Sequence, residues 1–159
     1  MPYVIGIVLS VGVALFARYV GLDRDRAFYP TVVIVVALYY VLFAAMSGSM
    51  QTVLLESAVM TVFAIAAVVG FKSSAWIVVA ALAGHGVFDA FHGHVLENSG
   101  VPVWWPAFCG AYDLGAAGIL AWLVSTWSPR VVHMTYRSIG FAVWRVITSR
   151  TEPLTPAHV

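Results

Sequence analysis

The stretch AWIVVAALAGHGVFDAFHGHV, Ala75–Val95, decides the fold. No Lys, Arg or Glu interrupts it, and a bilayer core about 30 Å thick needs roughly 20 apolar residues in helical form. A continuous apolar run reads as a spanning helix, whereas a transmembrane barrel strand alternates apolar and polar residues over about ten positions. Working outward, four more stretches qualify: Tyr3 to Val20, Phe28 to Met46 and Thr52 to Gly70 before it, and Pro102 to Val124 after it. The links SGSM, FKSS and ENSG are short, so consecutive helices are expected to lie antiparallel and adjacent.

The composition agrees. Of 159 residues, 62% are apolar and 9% charged, and the mean hydropathy is +0.93. A soluble domain carries about 25% charged residues, so this chain cannot clothe a water-facing surface. A net charge of +1 excludes a nucleic-acid partner recruited by charge, and the lone Cys109 excludes an internal disulfide framework. The expectation is an all-α polytopic membrane protein: a bundle of five transmembrane helices over residues 1–127, followed by a cytoplasmic amphipathic helix and loose tail over 128–159.

All eight basic residues fall on one side of a five-span arrangement: Arg18, Arg24 and Arg26, then Lys72, then Arg130, Arg137, Arg145 and Arg150. The positive-inside rule puts the amino terminus outside and the carboxyl tail in the cytoplasm of a cell inner (plasma) membrane. The first span lacks a basic leader and a cleavage site, and reads as a retained helix. In the tail, Val132, Tyr136, Ile139, Val143 and Val146 recur at spacings of three and four, while Arg130, His133 and Arg137 take another face. That pattern suits a helix lying on an anionic leaflet. Trp104, Trp105 and Tyr3 suit the outer interface, Trp76 and Trp127 the inner one.

An ionisable side chain at the bilayer centre costs roughly 2.5–3.5 kcal/mol on insertion scales, so such residues mark functional sites by default. The third span carries Glu56, the fourth His85, Asp89, His92 and His94, and the fifth Asp113. His85, Asp89 and His92 are spaced i, i+4 and i+7, on one helical stripe; Cys109 and Asp113, four apart, share a face of the fifth. His94 points roughly the opposite way from the stripe. Depth along three neighbouring helices lets these groups converge in the outer half of the bundle.

Two imidazoles with two or three carboxylates form a ligand set for a divalent metal ion, Zn first, with Fe or Mn as alternatives. The expected ligands are His85, Asp89, His92 and Asp113, with Glu56 as general base. A metal-bound water there could attack an ester, amide or phosphoester of a small apolar or lipid-like substrate arriving from the surrounding lipid. Two further functions use the same residues. One is a proton or divalent-cation transporter subunit, expected as a homo-oligomer. The other is a non-enzymatic assembly or cofactor-binding subunit in which Asp89–His85 and Asp113–His92 pairs merely fix neighbouring helices. Cys109 on its own reads as a small buried hydrophobe.

GHGVFDAFHGH and PVWWPAFCGAYDLGAAG, in the fourth and fifth spans, resemble small bacterial integral-membrane families of unknown function, which implies no activity. The chain is also loosely similar to membrane hydrolases of the alkaline ceramidase type, which hold zinc with histidines beside an Asp and a Ser. That family spreads its histidines over separate helices and has seven spans, whereas the histidines here share one helix. No residue role is carried over from it.

Overall fold

The computed structural model describes residues 1–126, and the expected amphipathic helix over 128–159 lies outside the described residues. Five helices follow in order: α1 (Pro2–Val20), α2 (Phe28–Ser47), α3 (Met50–Lys72), α4 (Ala75–Val95) and α5 (Trp105–Thr126). Each holds 19 to 23 residues, about 28–35 Å at 1.5 Å per residue, which matches a hydrocarbon core. The chain is an all-α, multi-pass membrane bundle.

Local chemistry sets the helix ends. Gly21 and Gly48 take left-handed φ of 88° and 77° and close α1 and α2, each returning its N–H to a carbonyl in the last turn. Ser49 caps α3 by accepting from the Thr52 N–H, and Ser74 caps α4 by accepting from the Trp76 N–H. Pro102 delays α5: its carbonyl accepts from the Trp105 N–H in a turn, and the helix starts at Trp105.

Helices α2, α3 and α4 pack against one another. Helix α5 meets α4 where Gly86 faces Gly110; a Cβ on either would stand 3.0 Å from the other's carbonyl oxygen. On another side α5 receives α1, because a Cβ at Gly6 would collide with the Phe108 carbonyl and one at Gly115 with Ser10. These close approaches are what small residues provide in lipid, where no hydrophobic force draws helices together. Helices α1 and α2, though consecutive, flank an open groove instead of packing along their length.

The buried interior divides by depth. Val33, Ala67, Val78, Leu82, Ala117 and Leu120 fill one half with hydrocarbon. The other half, toward the α3 N-terminus and the α4 C-terminus, holds Tyr40, Glu56, His85, Asp89, His92 and Asp113, all buried. Large apolar side chains such as Val8, Leu15, Leu42, Ile65 and Trp122 point outward, as a lipid-facing surface requires.

Candidate metal centre

Helix α4 supplies the axis of the site. Its stripe of His85, Asp89 and His92 is buried throughout, while His94 is exposed. The seven helical rises from His85 to His92 cover about 10 Å, so the two imidazoles meet different neighbours. His85 Nδ1 lies 2.7 Å from Asp113 Oδ2 on α5 and 3.7 Å from Asp89 Oδ2. His92 Nε2 lies 2.8 Å from Glu56 Oε1 on α3.

Four donor groups converge at the deeper level. His85, Asp89, Cys109 and Asp113 are all buried, and one ligand atom from each lies within 4.8 Å of the others. The Cys109 thiol also reaches Asp113 Oδ2 at 3.7 Å. Asp89 Oδ2 and Asp113 Oδ1 have no hydrogen-bond partner, although both are buried. Two carboxylates thus share one imidazole in a low-dielectric space. With both carboxyls ionised, even a protonated imidazole would leave one negative charge without a counter-charge, an imbalance that either a bound cation or a proton relieves. One nitrogen, two carboxylates and a thiol form a donor set that could hold a metal ion.

Of the residues singled out from sequence, His85, Asp89 and Asp113 come together in this group. Cys109 joins them, and the signal was its i, i+4 spacing to Asp113. His92 lies outside the group and pairs with Glu56; the clasping arrangement expected between Asp113 and His92 is replaced by His85–Asp113 and His92–Glu56. Two participants had no mark in the sequence. Tyr40 donates its hydroxyl to Asp89 Oδ1 at 2.6 Å. Asn98, in the α4–α5 link, donates through Nδ2 to Glu56 Oε1 at 2.9 Å and to the Tyr40 carbonyl at 3.1 Å.

Phe63 and Phe88 wall the imidazoles, with the Phe63 ring edge-on to His85 at 4.8 Å and the Phe88 ring edge-on to His92 at 5.5 Å. These rings keep the dielectric low, which strengthens every charge interaction inside. Comparison with protein-family models, curated proteins and solved structures found no match to this chain, so its chemistry is read from its own geometry.

Proposed function

We propose that this is a metal-dependent hydrolase of the inner (plasma) membrane, acting on a lipid-like substrate, with its amino terminus outside and its carboxyl tail in the cytoplasm. The observation that supports it best is the group His85, Asp89, Cys109 and Asp113, whose ligand atoms crowd within 4.8 Å while two of its carboxylate oxygens lack any hydrogen-bond partner. These four residues would hold one divalent ion, Zn first, with Fe or Mn as alternatives. Such an ion supplies Lewis acidity and a water activated near neutral pH. Glu56 is the residue to which we assign the general-base role: Oε1 is held by Asn98 and His92, and Oε2 is buried without a partner. Because it stands at the His92 level above the four ligands, it would reach their water through an intervening water or the Tyr40 link to Asp89. His92 orients Glu56.

Metal analysis of detergent-purified, metal-supplemented protein tests this. One ion per chain is expected, lost in a His85→Ala/Asp113→Ala variant that still folds. Folded wild-type protein with well under one ion per chain would overturn the proposal. Turnover is then read on amphiphilic esters, amides and phosphoesters.

A proton or cation transporter has one observation in its favour. Asn98, Glu56, His92, Tyr40 and Asp89 form a polar train from the α4–α5 link to the middle of the bundle. Among the described residues it continues through His85 to Asp113 and stops there, against buried Val33, Ala67, Leu82 and Leu120. Half a path suits proton and water access to a site better than passage across a membrane.

A further inference from the structure

An apolar groove of about 780 Å³ runs between α1 and α2, and Cys109 and Tyr112 of α5 form part of its inner wall. We propose that this groove binds a single acyl chain of a membrane amphiphile. Its walls offer hydrocarbon: Leu9 and Val13 from α1, Val32 and Val35 from α2. The one hydroxyl among its α2 residues besides Tyr39, that of Thr31, donates to the Ala27 carbonyl at 2.8 Å. Water does not settle in apolar space of this kind. The groove is continuous with the lipid-facing surface, since Val4, Val8, Leu38 and Leu42 are exposed on the same two helices.

Its dimensions select the occupant. From Met1 to Val13 is twelve helical rises, about 18 Å, a little over half of a 30 Å hydrocarbon core and so one leaflet deep. Spreading 780 Å³ over that length leaves a cross-section of about 40 Å². A helix about 10 Å across occupies roughly 80 Å², about twice what the groove encloses, so a helix could only rest on its open side, whereas a hydrocarbon chain is held within it. Trp104 and Trp105 line the groove at one end, where an interfacial headgroup belongs.

The groove meets the polar cluster at Cys109, which lines the groove and also belongs to the metal-ligating group. Cys109 lies one helical turn, about 6 Å, deeper than Trp105. An amphiphile seated with its headgroup at the tryptophans carries its first polar linkage at that level, beside Cys109, whose thiol lies 3.7 Å from Asp113 Oδ2. On this point alone the inference rests on the hydrolytic proposal, and it names the substrate class: a long-chain acyl amphiphile.

The test is photolabelling in liposomes with a long-chain fatty acid bearing a mid-chain diazirine, with labelled sites mapped by peptide mass spectrometry. Leu9→Trp and Val32→Trp fill the groove from opposite walls, and Ile65→Trp on the exposed face of α3 is the control. Label is expected to concentrate on the groove residues, to fall about tenfold in either filling variant, a change of about 1.4 kcal/mol in binding, and to hold steady in the control. Label spread evenly over all lipid-facing helices, label unmoved by filling, or cross-links between two copies through the groove would each overturn the inference. Metal content on the same samples separates the two proposals: metal lost with label intact defeats the hydrolase, and metal intact without groove label defeats the acyl site.

Discussion

The Tyr40 hydroxyl on α2 donates to Asp89 Oδ1 on α4 across 2.6 Å, and both residues are buried. The same ring stacks on His92 with centroids 4.1 Å apart. Tyr40 therefore joins the deeper group around Asp89 to the shallower His92–Glu56 pair, one by its hydroxyl and the other by its face. Hydrogen bonds to charged groups stabilise by about 1.5–3 kcal/mol in water-soluble proteins, and interhelical ones in membranes by about 0.6 on average.

Tyr40→Phe is accordingly expected to lower bundle stability by about 1–2 kcal/mol and metal affinity by about 10–100-fold, the usual effect of losing a partner that orients a ligand. Tyr40→Leu removes the stack as well and is expected to cost more. Unfolding titrations in mixed micelles and competition with a metal chelator measure the two effects. Equal metal affinity in wild type and Tyr40→Phe would mean that Asp89 is not a ligand.

Cys109 can be assigned by spectroscopy. Cobalt bound at the proposed centre is expected to give a near-ultraviolet sulfur-to-metal charge-transfer band, because the thiol stands in the same group as His85, Asp89 and Asp113. Cys109→Ser should abolish that band while retaining metal through the remaining donors. A cobalt-loaded wild type without the band leaves Cys109 as a packing residue.

The spans were legible in the sequence because each is a continuous apolar run, and Glu56, His85, Asp89, His92 and Asp113 because they break such runs. Pairing was legible only in part: the expected Asp89–His85 pair stands within α4 at 3.7 Å, while Asp113 meets His85 and not His92. Which acid meets which imidazole depends on helix rotation and on depth: His85 and His92 share a stripe, yet they stand about 10 Å apart along the axis and find acids on different helices. Tyr40 gave no signal because tyrosine is ordinary in an apolar run, and Asn98 none because asparagine is ordinary in a link. The groove was equally hidden, since short connections imply adjacency while α1 is drawn to α5 by the glycine face of Gly6 and Gly115.

Close packing of α4 on α5 sets the width of the site. At Gly86 an added Cβ would stand 3.0 Å from the Gly110 carbonyl and 3.3 Å from the Asp113 Cβ, so the backbones must part by a few tenths of an ångström. Gly86→Ala is expected to destabilise by about 1–3 kcal/mol, as overpacking does, and to weaken metal binding by drawing Asp113 away from His85. At Gly84, where nothing lies within 4 Å of an added Cβ, alanine is expected to be harmless. Thermal melts followed by chelator titration compare the pair.

Glu56 offers the sharpest separation of chemistry from structure. In Glu56→Gln the amide oxygen still accepts from Asn98 Nδ2 and His92 Nε2, which now meet Glu56 Oε1 at 2.9 and 2.8 Å. The bundle and the metal group, which does not include Glu56, should therefore persist. On the general-base role proposed for it, a role that typically contributes about 10²–10⁴-fold to rate, hydrolysis of an acyl amphiphile should fall by that range at unchanged metal content.

Asn98 positions Glu56 from outside the spans, and its amide gives a direct test of that role. Nδ2 donates to both Glu56 Oε1 and the Tyr40 carbonyl, while Oδ1 accepts from the Gly100 N–H at 3.2 Å. Gly100 in turn sits where a Cβ would collide with the Phe43 carbonyl, so the link is pinned to α2. Asn98→Asp replaces the donor with a second carboxylate oxygen facing Glu56 and the Tyr40 carbonyl, converting two attractions into two repulsions. The expected cost is about 2–4 kcal/mol, combining lost hydrogen bonds to a charged acceptor with like-charge contact. Asn98→Ala, which removes the bonds without adding a charge, should cost about half as much. Because Glu56 is then free to turn away from His92, both variants should also lose turnover while keeping the ion on His85, Asp89, Cys109 and Asp113. Full turnover in Asn98→Ala would show that Glu56 needs no positioning, and loss of metal in that variant would show that the two levels of the site are not separable.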